Sequence, residues 1–480
     1  MVFSTILAIT LYFSFLFIIA LFSRKRKATA QDFILGGRGL NYYVTAMAAH
    51  SSDMSGWLFM AYPAVIFTGG IFNAWTAIGL IVCMYLNWHY VAPRIRKATE
   101  KYNSLTLSAY FETHFQDHKS VIRLISALVA FFFFTIYISA GLMGLGLLFG
   151  DIFQITYLWG ITIGIFIVVI YPMIGGYVTL AWTDFFQGLF LLFMIAIVPI
   201  HKLLIAEPGH VVFQMLQLKS VLKELFPDLS LSTIVGIFFI ATGWGLGYFG
   251  QPHIITKFMG IKKIEEMNKS KYVGIGWMII VLFAATVIGI IGSASFVEGI
   301  NPNLTFIYMV NSLYAPFFAA FILCAILAAA ISVMGSQVLI LTSHVTEDFY
   351  KTLIHRDATS YQMIRVARFG ILFSALIAYF IAYFQISSIY NLVFYAWAGL
   401  GCSFGPLVLL SLFSKKITRM GAIVGICFGG IFAALWPLLN ENFLPYYPIP
   451  TMIPGFIGNI IVIYGVSALD LRYFKIMTIE

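Results

Sequence analysis

Long apolar runs separated by short polar segments dominate the chain. Runs of about 20 apolar residues can cross a bilayer as helices, whereas membrane β-strands give alternating segments of about 10 residues, which are absent from this sequence. The pattern predicts an all-α integral membrane protein with about thirteen spans. They lie at 2–22, 40–65, 68–91, 122–149, 155–178, 184–204, 231–252, 273–297, 314–344, 366–385, 389–413, 420–438 and 449–468.

Composition excludes a soluble globular protein. Hydrophobic residues make up 61% of the 480, charged residues only 10%, and the mean hydropathy is +0.94. Soluble domains carry about 25% charged residues. The 4 cysteines lie in apolar stretches without metal-ligand spacing. We therefore expect a single transmembrane domain over 1–480.

The positive charge is distributed by side of the membrane. If the N-terminus is outside, all but three of the 28 Lys and Arg residues fall on the inner side. The exceptions, Lys202, Lys219 and Lys223, share one predicted outer loop at 205–230. Positive residues concentrate in cytoplasmic loops, so the C-terminus is predicted in the cytoplasm. Topology accounts for the net charge of +9, and no nucleic-acid partner is expected.

Three spans contain residues that break helices in mid-membrane. The second contains SSDMSG, the seventh GWGLGYFGQP, and the eleventh YAWAGLGCSFGP. Gly and Pro cost about 1 and 3 kcal/mol inside a helix, and such breaks survive in a membrane only against protein or a cavity. The second and seventh spans are five apart. Their spacing predicts two inverted five-helix repeats, 40–204 and 231–413, with a first helix at 2–22 and two C-terminal helices at 420–468.

Two acidic residues, Asp53 and Asp184, fall within or at the edge of spans. Ionisable residues inside a membrane indicate function by default. Around Asp53, unwound backbone would offer carbonyl oxygens to a small cation, and the next half-helix would offer amides to a carboxylate. Asp184 is equally compatible with an ordinary helix N-cap.

Two further sets of residues suit a binding site. Small residues at helical spacing in the ninth span suit either a site or helix packing; they are Ala329, Ser332 and Ser336. Aromatic and proline residues four apart in the seventh span, predicted to share one helix face, suit either an apolar substrate or simple packing; they are Trp244, Tyr248 and Pro252.

Several motifs together resemble the sodium–solute symporter family, in its proline branch. The likeness runs in order from about 30 to 460, and the motifs are GGRGLNYYVTAMAAHSSDMSGWLFM, FFFFTIYISAGL, GGYVTLAWTDFFQG, GWGLGYFGQPHII, AILAAAISVMGSQ with TEDFYK, and YAWAGLGCSFGP. The resemblance implies a LeuT-type 5+5 inverted repeat with extra helices. It also implies Na+-coupled import of L-proline across the bacterial cytoplasmic membrane. The expected partners are L-proline, sodium ion and the lipid bilayer, with no obligate protein partner.

The resemblance also implies roles for individual residues. A sodium site is expected at Ser51, Met54, Ala329 and Ser332. Substrate contacts are expected at Asp53, Ser55, Gly56, Trp57, Tyr137, Trp244, Tyr248 and Pro252. A possible second sodium site involves Asp184 and Ser336 together with Ser332, and Arg38 is expected to be important on the cytoplasmic side.

Two positions depart from the family pattern. Ser51 stands where a small residue is usual, and Val333 stands where a hydroxyl ligand for sodium is expected. Because the valine side chain offers no oxygen, coupling to H+ through Asp53 or Asp184 is an alternative, as is another small carboxylated substrate. An aspartyl protease is disfavoured because its GxGD motif is absent, and its paired carboxylates must lie about 3 Å apart. A channel is disfavoured because no filter or charged ring is apparent. We therefore expect a transporter and no enzymatic activity.

Overall fold

A computed structural model describes the chain in seven segments: 2–23, 34–205, 224–228, 230–295, 300–355, 357–443 and 449–477. The basic cluster at 24–27 and most of the predicted outer loop at 205–230 lie outside these segments. Within them, the regular structure is helical apart from one isolated β-bridge.

The α-helices of the described segments are numbered here in chain order. The first nine are α1 Val2–Ser23, α2 Tyr42–Ser51, α3 Ala61–Gly69, α4 Trp75–Leu86, α5 Ala92–Lys101, α6 Leu107–His114, α7 Val121–Phe153, α8 Tyr157–Leu204 and α9 Leu231–Gly245. The others are α10 Pro252–Met259, α11 Met267–Ser295, α12 Thr305–Leu313, α13 Pro316–Ser343, α14 Ser360–Phe384, α15 Ile389–Phe413, α16 Arg419–Phe443 and α17 Met452–Met477.

Eleven helical stretches of the described residues are long and apolar enough to cross a membrane. Two further apolar helices, Gly56–Gly69 and Tyr157–Val169, are shorter. The first is the second half of the broken second span, and the other is the first part of α8. The all-helical membrane fold is as predicted, and the number of thirteen spans stays a prediction.

Helix α8 consists of two helices in series that meet at Gly176. The backbone there has φ 63° and ψ −166°, a conformation open essentially only to glycine. The second part runs over Gly176–Leu204, so the predicted start of the sixth span at residue 184 is wrong. Asp184 lies two turns inside this helix and is fully buried. Its interpretation as an N-cap is therefore wrong too.

The second span is unwound at the predicted place. Helix α2 begins at the Asn41 cap, whose side chain accepts the Val44 amide at 3.0 Å, and ends at Ser51. Residues 52–55 are non-helical, and a short 3-10 turn over Gly56–Leu58 leads into α3. The SSDMSG stretch thus separates two half-helices.

The seventh span is broken between α9 and α10. Helix α9 ends at Gly245, a 3-10 turn covers Leu246–Gly250, and Gln251 is extended. Proline disfavours a helical residue before it and suits the first turn of a helix, which explains the extended Gln251 and the start of α10 at Pro252. The prediction that Trp244, Tyr248 and Pro252 share one helix face is therefore wrong, because they belong to three elements.

Close backbone packing holds the second break against α15. A Cβ atom on Gly250 would lie 2.5 Å from the Gly405 amide nitrogen and 2.8 Å from the Gly401 Cα. A Cβ on Gly247 would collide with the Trp397 indole, whose Nε1 donates to the Trp244 carbonyl at 2.8 Å. The glycines of GLGYFG therefore allow the unwound segment to touch its neighbouring helix.

Candidate substrate and sodium site

The two unwound segments meet through a buried hydrogen bond. The Tyr248 hydroxyl, from the second break, donates to the Asp53 carboxylate in the first. Tyr248 is fully buried and Asp53 is 1% exposed. The structure therefore brings together two predicted site residues that are far apart in the chain and places the carboxylate where both breaks face each other.

The first break leaves backbone oxygens unoccupied. Among the described residues, no donor is found on the carbonyls of Ser51, Ser52 or Met54. The Ser51 carbonyl is free because the Ser55 amide, which would reach it in a helix, donates to the Asp53 carbonyl at 3.1 Å. Unpaired carbonyls buried away from water need another partner, and oxygen atoms are the ligands that small hard cations prefer. The carbonyls of Ser51 and Met54, which the family resemblance assigned to sodium, are thus available to a cation, and their role as ligands stays a prediction.

The helix α13 supplies the other side of the expected sodium site. The Ser332 hydroxyl lies 3.3 Å from the Ser51 hydroxyl and donates to Asp184 Oδ1 at 2.6 Å. Ala329 is one turn away on the same helix and is 1% exposed. Val333, also buried, offers only its carbonyl oxygen. The candidate oxygens therefore come from the first break and the Ser332 region.

Asp184 has a cationic partner that the sequence analysis missed. The Lys257 Nζ atom lies 2.8 Å from Asp184 Oδ2, and their side chains are 2% and 0% exposed. The Ser336 hydroxyl reaches the same oxygen at 3.5 Å. Lys257 was counted only as one of the charges on the predicted inner side, but the structure shows that its side chain is buried and paired within the protein. An available signal was its place in the apolar run HIITKFM, directly after Pro252.

Aromatic rings surround the first break on the α9 side. The Trp57 and Trp244 rings stack with centroids 5.8 Å apart and an interplanar angle of 27°. The Trp244 indole donates to the Tyr390 hydroxyl at 2.9 Å, a contact that no motif indicated. The buried Tyr137 hydroxyl lies near Asp53 and the Ser55 side chain, and among the described residues no hydrogen bond of normal geometry satisfies it. Apolar faces and an unused hydroxyl are therefore both available to a substrate.

Only part of the predicted anion cradle is open. The Ser55 amide is used by Asp53, and the Trp57 amide donates weakly to the Ser55 hydroxyl at 3.4 Å. Among the described residues, nothing accepts from the Gly56 amide. A Cβ added to Gly56 would have nothing within 4 Å. The Gly56 amide and the space beside it thus remain for a carboxylate.

Five of the eight predicted substrate residues line cavities, and these cavities are three separate ones. Ser55, Gly56 and Trp57 line a central cavity of about 10 Å³, which has room for about one water molecule. Trp244 lines a cavity of about 1100 Å³ on the predicted outer side. Pro252 lines a different cavity, of about 10 Å³, toward the predicted inner side. Substrate entry to the centre therefore requires movement of the surrounding side chains.

Arg38 ties three segments together near the predicted inner surface. Its guanidinium donates to Met259 O at 3.2 Å, to the Thr99 hydroxyl and carbonyl at 3.2 and 2.9 Å, and to Ser104 O at 3.1 Å. Nearby, the Leu40 amide donates to Gly260 O at 3.2 Å. The segment before α2 is thereby joined to the end of α10. Arg38 lies apart from the sodium and substrate candidates, and its functional importance stays a prediction.

A second inner cluster was also missed from the sequence. Asp348, on the helical continuation of α13, is fully buried, accepts from the Ser108 hydroxyl at 2.5 Å and forms an ion pair with Arg123, whose Nε atom lies 3.0 Å from Asp348 Oδ1. The His344 Nδ1 atom lies 2.6 Å from the same carboxylate. The i, i+4 spacing of His344 and Asp348 was a visible signal.

Two helices are broken in mid-membrane, and their breaks meet at a shared polar centre. This arrangement is typical of secondary transporters built from inverted repeats. The chain belongs to the sodium:solute symporter family, whose sequence profile matches residues 33–429. The predicted family and the prediction of sodium as the coupling ion are thereby confirmed.

Curated relatives cover nearly the whole chain. The high-affinity proline transporter PutP of Bacillus subtilis is 37% identical over 457 residues, covering 94% of this chain and 95% of that protein. Sodium/proline symporter 2 of Staphylococcus saprophyticus is 38% identical over 480 residues, covering 96% and 92%.

Solved structures show the same fold at low sequence identity. A substrate-bound, outward-open Na+-coupled sialic acid symporter aligns with a TM-score of 0.79 and 17% identity, covering 97% of this chain and 98% of that one. MhsT in complex with L-phenylalanine aligns with a TM-score of 0.57 and 14% identity, covering 88% and 98%. The predicted LeuT-type fold is confirmed.

Proposed function

We propose that this protein imports L-proline together with Na+. The observation that carries the proposal is the buried contact between Asp53 and Tyr248, beside unoccupied carbonyls and an unoccupied amide. Such a site can hold a cation and a carboxylate at once. The relatives at 37% and 38% identity are named as proline transporters, and their names support proline as the substrate.

Sodium would bind between the first break and α13. The carbonyls of Ser51, Met54 and Ala329 and the Ser332 hydroxyl are the proposed ligands, with Asp53 supplying negative charge nearby. Since Ser332 donates its proton to Asp184, its lone pairs are left for the ion. A carbonyl-rich site of this kind tolerates the missing hydroxyl at Val333.

Proline would bind beside the ion. Its carboxylate would accept from the Gly56 amide, assisted by Ser55 and Trp57, and its ring would pack against Trp57 and Trp244. The amine would lie near Asp53 and the Tyr137 hydroxyl. Because Pro252 lines the cavity toward the inner side, we assign it to the release path.

Coupling follows from the shared site. Na+ and the substrate would bind next to each other at the first break, and each would contribute contacts to the binding site of the other. Binding of both together would therefore favour the movement of one helix bundle against the other. The membrane potential adds about 2.3 kcal/mol per charge per 100 mV to Na+ entry. The proposed moving units include the repeats 40–204 and 231–413. The work done is transport, and no catalytic step is needed.

The orientation follows from the charges. We propose a bacterial cytoplasmic-membrane location with the N-terminus outside and the C-terminus inside. On this assignment the 1100 Å³ cavity opens outward, and the Arg38 contacts lie inside.

Substrate identity is tested by competition. Purified protein in liposomes with an inward Na+ gradient should accumulate labelled L-proline. Unlabelled proline in large excess over both the labelled proline and KM should reduce the signal to background, while alanine, glutamate and pantothenate at the same concentration should leave most of it. Strong inhibition by another small carboxylated solute, with no proline accumulation, would show that the substrate is different.

A further inference from the structure

Lys257 and Asp184 form a buried ion pair next to the proposed sodium site. Lys257 comes from α10, just beyond the second break, and Asp184 comes from the interior of α8. The Nζ–Oδ2 distance is 2.8 Å. The ammonium also lies 5.3 Å from the centroid of the Tyr177 ring, a favourable site for a cation. The Lys257 ammonium is therefore buried between a carboxylate and an aromatic ring.

The two oxygens of the Asp184 carboxylate face different partners. Oδ1 accepts from the Ser332 hydroxyl at 2.6 Å, and Ser332 in turn touches Ser51 at 3.3 Å. Oδ2 faces Lys257, with Ser336 at 3.5 Å. The carboxylate thus orients a proposed sodium ligand on one side and binds a cation on the other.

The charge of Asp184 is already balanced by this pair. A buried carboxylate needs a paired cation, and the ammonium meets that need within the protein. A sodium ion on Asp184 and Ser336 would sit within a few ångströms of the ammonium, where like charges repel strongly because water is excluded. A second sodium ion at Asp184 would therefore find the carboxylate already paired and its position occupied by the Lys257 ammonium.

We propose that Lys257 is a resident cation that takes the place of a second Na+ at Asp184. The transporter then couples one Na+ to each substrate molecule, and Asp184 acts on that ion through Ser332, as a positioning residue. The proposed second sodium site at Asp184 and Ser336 is thereby filled by the chain itself. This inference rests on the proposed sodium site but not on proline as the substrate.

The test counts sodium ions bound to the purified protein. Equilibrium binding of radioactive Na+ is measured without proline, at constant ionic strength with choline as the replacement cation. We expect one Na+ per wild-type protein. Lys257→Met keeps a similar length of side chain but removes the ammonium, so Asp184 is left to recruit an ion. We expect two Na+ per Lys257→Met protein.

Two further variants separate charge balance from a merely structural role. Lys257→Arg keeps the positive charge and should bind one Na+. The double variant Lys257→Met/Asp184→Asn removes both charges and should return to one Na+, bound more weakly because Ser332 loses its carboxylate partner. If Lys257→Met does not fold, Lys257→Gln in nanodiscs provides the same comparison.

Each result supports or overturns the inference. Two Na+ on the wild-type protein, or one on a folded Lys257→Met or Lys257→Gln variant, would overturn it. Na+:substrate stoichiometry from the zero-flux gradient should likewise rise from one to two in the single variant. Failure of the wild type to transport proline would contradict the proposed substrate but leave the sodium count unaffected.

Discussion

Asp53 carries the negative charge of the central site. Its carboxylate is enclosed between the two breaks and bonded by Tyr248. Asparagine has the same shape and can still accept that hydrogen bond, so Asp53→Asn should fold. Loss of a charge-assisted contact of about 3 kcal/mol predicts a fall in Na+-driven uptake of at least about 100-fold.

The measurement for Asp53→Asn is initial uptake normalised to the amount of monodisperse purified protein. Tyr248→Phe is the matched control, because it removes the hydrogen bond and leaves the charge; its loss should be smaller. Uptake by Asp53→Asn within twofold of the wild type would contradict the assigned role.

Gly56 provides both an amide and open space. A methyl group there meets no atom within 4 Å, so Gly56→Ala should leave the melting temperature unchanged. The methyl would occupy the space proposed for the substrate carboxylate, and we expect KM to rise about tenfold, equivalent to about 1.4 kcal/mol. Gly465→Ala, equally unobstructed but on α17, should change neither quantity. An unchanged KM for Gly56→Ala would place the carboxylate elsewhere.

At the level of helices, the second break depends on direct backbone packing. A methyl group on Gly250 would meet the Gly405 and Gly401 backbones, which cannot move aside as a flexible side chain can. Overpacking typically costs about 1–3 kcal/mol. We expect Gly250→Ala to lower the unfolding temperature in detergent by several degrees and to reduce the yield of folded protein.

The matched variant for this effect is Gly276→Ala in α11, where an added Cβ meets nothing within 4 Å. It should behave as the wild type. If both alanine variants unfold at the same temperature as the wild type, close packing of the second break is not important for stability.

The helices themselves were largely predictable, because a bilayer admits only apolar stretches of sufficient length. The breaks in the second and seventh spans were also visible, since SSDMSG and GLGYFGQP have no other reason to interrupt a span. The third predicted break, at YAWAGLGCSFGP in the eleventh span, is wrong, because α15 runs without interruption over Ile389–Phe413 and accommodates Pro406 inside the helix. The boundary near Asp184 was not. It depends on the positive φ of Gly176, which lets a new helix start earlier than the polar residue suggested.

The site was predictable only in part. Ser51, Asp53 and Ser332 were singled out because polar groups in a membrane are conspicuous. The structure places the Ser51 and Ser332 hydroxyls 3.3 Å apart and bonds Asp53 to Tyr248, while their binding roles stay predictions. Lys257, the partner of Asp184, was missed. The sequence does not reveal how far an unwound segment carries the chain across the membrane, so a lysine after the break was taken for a loop residue. The one-face arrangement of Trp244, Tyr248 and Pro252 failed for the same reason.

At the scale of the whole molecule, Arg38 joins segments near the predicted inner surface, and we expect its hydrogen bonds to hold that side closed. It donates hydrogen bonds to two other segments, through Thr99, Ser104 and Met259, and lysine lacks the forked geometry to replace it. We expect both Arg38→Ala and Arg38→Lys to favour opening of this side by about 2 kcal/mol, which is about 30-fold. Labelling of a cysteine placed at Ser343, which lines the inner cavity, should accelerate accordingly. Equal labelling rates with and without Arg38 would show that it does not close this side.

The orientation of the whole molecule can be tested with impermeant thiol reagents. Three of the four native cysteines are buried and the fourth is half-buried, so background labelling should be low. In intact cells, a cysteine at the exposed Ser232 should be labelled, and one at the exposed Lys415 should be labelled only after permeabilisation. The reverse pattern would place the N-terminus inside.

The central claim is that a cation at the first break drives substrate across the membrane. The most direct test is uptake of labelled L-proline into proteoliposomes under either an imposed Na+ gradient at uniform pH or an imposed H+ gradient without Na+. We predict accumulation with the Na+ gradient only, which would mean that the carbonyl-rich site compensates for Val333. Accumulation driven by the H+ gradient alone would contradict the account.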